Sequence, residues 1–178
     1  MALTNWVIDP THSEVHFKVK HLMITNVTGS FNIFGASVQT EGEDFSKAKI
    51  TFTADIDSID TGNKDRDGHL KSADFFDAAK FPQIKFTETK VESVDNDGSY
   101  EIYGDLTLHG VTKNIKLEAE FGGVVKDPYG NTKAGFTING KINRKDFGLT
   151  WNAPTETGGV VVSEDVRIAA EIQLIKQA

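Results

Sequence analysis

The sequence predicts an all-β protein, a single domain over residues 1–178 in which eight antiparallel strands close into a barrel, with a short helical insertion around residues 61–80. Three observations carry this reading. Most of the chain alternates apolar and polar residues with period two, the pattern of strands with one buried and one wet face. Short turn clusters join these runs, which favours sequential antiparallel neighbours. The strands also carry no protection for a free sheet edge, which points to closure. Eight strands leave an interior just wide enough to be filled by side chains or to hold one slender ligand.

The elements follow in order. Trp6-Val7-Ile8 is a short apolar opening that Asp9-Pro10 interrupts. Residues 13–21 form a clear strand, with Val15, Phe17 and Val19 on one face and Glu14, His16, Lys18 and Lys20 on the other. The run 27–33 continues the alternation, and Gly29 within it marks a bulge or a close approach. Glu41-Gly42-Glu43-Asp44 is a turn, after which Ile50, Phe52, Ala54 and Ile56 share a face. Ile84 and Phe86 begin the next strand, and Asp95-Asn96-Asp97-Gly98 reads as a hairpin turn. Tyr100, Ile102, Gly104, Leu106 and Leu108 share one face, as do Ile115, Leu117, Ala119 and Phe121 after His109-Gly110. Asp127-Pro128-Tyr129-Gly130-Asn131 turns the chain into Phe136 and Ile138. A looser segment runs from Trp151 to Gly159, and Val166, Ile168, Ala170, Ile172 and Leu174 line the last strand.

Only residues 58–82 break this rhythm. They cluster Arg66, Asp67, His69 and Leu70, then place Phe75, Phe76 and Phe81 in a short span closed by Pro82. A helix is expected from about Ala73, with Ser72 as its N-cap. Such a segment serves either as a lid over an apolar cavity or as a plug that completes a core. The residues alone favour the plug.

Composition excludes several functions. The formal net charge of −7 argues against a nucleic acid partner and against firm docking on an anionic membrane. No apolar run is long enough to span a bilayer, so no stable membrane insertion is expected. The chain has no cysteine, which removes disulfides and thiolate chemistry. The opening MALTNWVIDP lacks the features of an export signal, so a cytoplasmic location is expected, or a periplasmic one if this is a mature form. The marked bias is 12 phenylalanines, which can line an apolar interior without polar atoms to satisfy.

Chemistry-bearing groups are sparse. His12 and His16 lie four apart, which on a strand separates them by roughly 13 Å. No HExxH motif and no acidic group at ligand spacing accompany the histidines, so no metal site is expected. Ser13 lies near His12 and His16 but lacks the elbow of a nucleophilic serine. Arg66, Asp67 and His69 form the densest polar group. They could hold a ligand head group, or they could pin the insertion to a strand end, and the structural role weighs more. Arg144 with Asp146 has the same two readings.

Four blocks in order, WVIDPTHSEVHFKVKHLMITNVTGSF, SIDTGNKDRDGHLKSADFFDAAKFPQIKF, GDLTLHGVTKNIKL and INRKDFGL, resemble the YceI-like family of lipocalin-like polyisoprenoid-binding proteins over nearly the whole chain. The resemblance implies a lipocalin-like eight-stranded barrel around an elongated apolar tunnel. It implies that the protein binds a long-chain isoprenoid lipid, a polyprenyl phosphate or a ubiquinone tail, without turnover and with no cofactor. It also makes a homodimer plausible. On strand parity and motif position, the lining is assigned to Phe17, Val19, Phe31, Ile33, Phe52, Leu70, Phe75, Phe76, Phe86, Leu106, Phe136 and Phe147. His21, Arg66, Asp67, His69 and Arg144 are assigned to the mouth. Two other functions compete with this one: a stress-related or interaction protein with a filled core, and an enzyme using Arg66, Asp67 and His69 on a buried apolar substrate.

Overall fold

The computed structural model describes residues 2–94, 98–152 and 161–178. Most of the expected 95–98 hairpin turn and of the segment from Trp151 to Gly159 lies outside them. The described strands are β1 (Leu3–Ile8), β2 (Glu14–His21), β3 (Thr25–Phe31), β4 (Phe34–Glu41), β5 (Asp44–Asp55) and β6 (Ile59–Asp60). After helix α1 (Lys64–Lys71) come β7 (Gln83–Val94), β8 (Ser99–Leu108), β9 (Val111–Lys126), β10 (Thr132–Asn143) and β11 (Val162–Lys176).

These segments make a closed barrel of eight antiparallel strands. β1 and β2 act as one interrupted strand, because both pair with β11 on one side. On the other side they pair with β4 and β3, which form a second interrupted strand. From β4 the order runs through β5, β7, β8, β9 and β10 to β11, and the β1–β11 pairing shuts the ring. The short β6 adds only to the edge of β3.

Asp9-Pro10 explains the first interruption, since proline has no N–H to give a ladder. There the backbone of Gln173 is served instead by the amide of Asp9 (2.8 Å to its carbonyl) and the Ser13 hydroxyl (3.0 Å from its amide). Ser13 is therefore a structural bridge. Asp9 also caps the 3-10 turn Pro10–His12 and meets Lys133 at 2.7 Å, tying this break to β10.

The up-and-down order puts the Leu22–Ile24 turn, the 56–82 insertion, the His109-Gly110 turn and the start of the 144–161 connection at one end of the barrel. Gly42-Glu43, the Asp127–Asn131 turn and both termini lie at the other. Near that second end, Trp6 is wholly buried, and its indole N–H donates to Thr40 at 2.9 Å. Phe45 packs between Trp6, Phe121 and Phe136 at ring distances of 5.1, 5.6 and 4.9 Å.

The helix lies earlier than the sequence suggests. Asn63, not Ser72, is the N-cap, accepting from the Arg66 amide at 3.0 Å. Asp65 and Asp67 in the first turn and His69 and Lys71 in the last suit the helix dipole over this span. Ser72 sits at the C-terminal end, where its hydroxyl donates to the His69 carbonyl. Phe75 and Phe76 then fall in a hydrogen-bonded turn that follows the helix. Among the described residues no helix is long and apolar enough to cross a membrane.

Candidate functional site

Inward-facing residues of every ring strand meet around a cavity of about 280 Å³ inside the barrel. Strand parity explains most of the lining: Val15, Phe17 and Val19 from β2, Ile50, Phe52 and Ala54 from β5, and Val166 through Leu174 at every second position of β11. Three lining residues carry polar side-chain atoms, His16, Tyr100 and Arg144. The His16 ring is 3.2 Å from Glu14, and burial pushes the Tyr100 phenol up from its ordinary pKa, keeping it neutral. Such a surface offers dispersion and exclusion from water rather than hydrogen bonds.

At one end the insertion contributes Leu70, Phe75 and Phe76 to the lining. Phe76 meets Phe31 edge-on at 6.3 Å, and Phe75 meets Trp151 at 5.2 Å. His69 stacks edge-on against both Phe75 and Trp151, while its Nε2 lies 2.9 Å from Asp74. The insertion therefore covers the cavity with aromatic rings and keeps its histidine on the outer side. Arg66 donates to the hydroxyl (2.7 Å) and carbonyl (2.6 Å) of Thr61, and Asp67 accepts from the Thr61 amide and hydroxyl. These two residues clamp the segment that leads into the helix.

The other sequence blocks converge on the same end. Phe81 packs on His109 at 5.3 Å, and His109 Nδ1 is 3.1 Å from the Phe147 carbonyl. Gly148 follows with φ +77°, a left-handed cap that ends the 3-10 turn Arg144–Phe147; a Cβ there would also meet His109 Nδ1 at 3.1 Å. This turn sets Arg144, 3% exposed, against the backbone carbonyls of Leu149 and Ser163. Burial lowers the pKa of its guanidinium from the ordinary arginine value.

Of the residues singled out from sequence, Phe17, Val19, Phe31, Phe52, Leu70, Phe75, Phe76, Phe86, Leu106, Phe136 and Arg144 reach the cavity. The others do not. Ile33 is 60% exposed, because the chain bends between β3 and β4 and the alternation changes phase there. Phe147 is buried at 1%, but packs behind the lining in the core around Leu108 and Leu149. His21 is exposed at the end of β2, and Arg66, Asp67 and His69 are occupied on the insertion as described. Parity also misses Phe45 and Val91, which lie next to register shifts in the β4–β5 and β7–β8 pairings. Leu149 comes from a loop, where alternation carries no signal. Among the described residues no three His, Asp or Glu side chains form a metal-binding group.

The molecule is thus a closed antiparallel barrel built around an apolar cavity and covered at one end by an insertion. The chain belongs to the YceI-like family, whose domain model matches residues 6–174. UPF0312 protein SA2479 of Staphylococcus aureus (strain N315) is 41% identical over 172 residues, covering 96% of this chain and 97% of that protein. Among solved structures, the YCEI protein of Campylobacter jejuni is 39% identical, with a TM-score of 0.76 over 90% of this chain and 91% of that one. A polyisoprenoid binding domain from Saccharophagus degradans shares the fold at 17% identity, with a TM-score of 0.67 over 97% and 98% of the two chains.

Proposed function

We propose that this protein binds a long-chain isoprenoid lipid in the barrel cavity and stores or carries it without chemical change. The observation that carries this reading is the lining, which is built of aliphatic and aromatic side chains from all eight strands and the insertion. A branched hydrocarbon chain would gain about 0.8 kcal/mol for each CH₂ moved out of water. Acid–base groups of the insertion have local partners outside the cavity, which supports binding over turnover. The printed description of the Saccharophagus degradans neighbour as a polyisoprenoid binding domain agrees with this choice of ligand.

Filling the cavity tests the proposal. Ala119 is 2% exposed and lines it, so Ala119→Phe places a ring where the chain would lie. Native mass spectrometry after addition of geranylgeraniol should show one bound lipid on the wild type and much less on the variant. Ala54→Leu is a milder obstruction at another lining position, should the larger ring disturb folding. Equal uptake by folded blocked variants, or none by the wild type, would overturn the proposal.

A further inference from the structure

The outer face of β9, β10, β11 and β2 sorts its charges along the barrel. Residues that alternate with the cavity lining point outward there, and near the insertion end they are cations. Lys141 stands directly opposite Arg167, and Arg167 directly opposite Lys18. All three are exposed. Like charges at facing positions repel and weaken a sheet. Lys141 reaches Asp165 at 3.9 Å, whereas Arg167 and Lys18 form no ion pair among the described residues. An acidic row, Glu120, Glu171 and Glu14, crosses the same strands at the level of Thr137, about 13 Å nearer the other end.

A cleft between β9 and β10 opens on this face. Their pairing stops at Leu117 and Gly140, although β9 begins at Val111 and β10 continues to Asn143. Beyond that point the strands part. Lys113, Lys116, Lys141 and Arg167 border the cleft, against Glu118 and Asp146 as its carboxylates. Ile115 and Ile142 line both the cleft and the apolar cavity, so the two spaces share a wall. Cations at the rim and hydrocarbon beneath match a phospholipid surface, where phosphates lie outermost and tails below. We infer that this face docks reversibly on a bilayer containing anionic phospholipid, with the cleft turned toward the lipid. The choice of a membrane as partner rests on the isoprenoid-binding reading above. The overall charge of −7 opposes approach from a distance. Such fields fade within about 10 Å at roughly 0.1 M salt, so contact senses the cations of the face itself.

Flotation with vesicles of equal phosphatidylglycerol and phosphatidylcholine tests the inference. The wild type should float with them at low salt, and added salt or phosphatidylcholine alone should release it. Lys141→Gln with Arg167→Gln should lower vesicle affinity about tenfold or more, the worth of two cations at an anionic surface. Lys47→Gln with Lys49→Gln removes the same charge from β5, across the barrel, and should leave affinity unchanged. The salt and composition series on the wild type decides alone if a variant misfolds. Because the chain has no cysteine, an environment-sensitive dye on Asn139→Cys reports contact at the cleft. Its emission should shift to the blue on vesicles, and that of a dye on Lys49→Cys should not. No binding to anionic vesicles at low salt, or equal losses in the two double variants, would overturn the docking face. A DNA duplex that displaces the protein from vesicles at equal phosphate would overturn the choice of a membrane. Prenyl-lipid uptake without vesicle binding would sink this inference and leave the cavity reading intact, and vesicle binding without uptake would do the reverse.

Discussion

Gly104 leaves room for a ring. A Cβ at that position would lie 2.4 Å from the Phe86 ring and 2.7 Å from the Thr87 carbonyl, and the carbonyl belongs to a paired strand that cannot retreat. Gly29 is the same device on β3, with the tip of Phe17 at 2.3 Å, although there the obstacle is a side chain that can swing. Gly104→Ala should therefore destabilise the protein by about 2–3 kcal/mol, as overpacking does. Gly35→Ala, whose nearest neighbour would be Thr53 Oγ1 at 3.8 Å, should stay within about 0.5 kcal/mol of wild type. Urea unfolding midpoints of the two variants check the contrast. At this scale the sequence marks Gly29 as a bulge or a close approach without choosing, and it cannot name the partner, because Phe17 reaches it across a strand pairing.

Among the elements, the break between β1 and β2 offers a pH handle. The Lys133 ammonium, with help from His12 and Thr11, holds the Asp9 carboxyl well below the usual carboxylate range, against the opposing effect of burial. A depressed native pKa gives stability that is complete above the unfolded value of about 3.9 and is lost as pH falls below it toward the native value. The unfolding midpoint should thus drop on acidification from pH 5 toward pH 2, and Asp9→Asn should show a smaller drop over that window. An unchanged slope in the variant would show that other carboxylates set the acid limit. Element order and inward faces are legible from alternation alone for β2, β8, β9 and β11. The start of the helix is misplaced in the sequence reading because Ser72 and Asn63 both have capping side chains; the Asn63 cap is used, and the local clamp of Asp67 on Thr61 supports it. Bulges hide Phe45 and Val91 for a different reason: one extra residue reverses parity without any change in composition.

For the whole molecule, ring closure leads to the proposed function. Closing eight strands turns one apolar face per strand into an enclosed surface, and eight of the twelve phenylalanines border the resulting space. Residues 58–82 read alone favour a plug, although Phe75 and Phe76 serve either purpose. The cavity beneath Leu70, Phe75 and Phe76 decides for a cover. Native mass spectrometry of the protein purified without detergent, followed by solvent extraction of any bound species, addresses the central claim most directly. The account predicts a non-covalent mass that is released as an isoprenoid lipid. A bare protein mass that stays bare after prenyl lipids are added would contradict it.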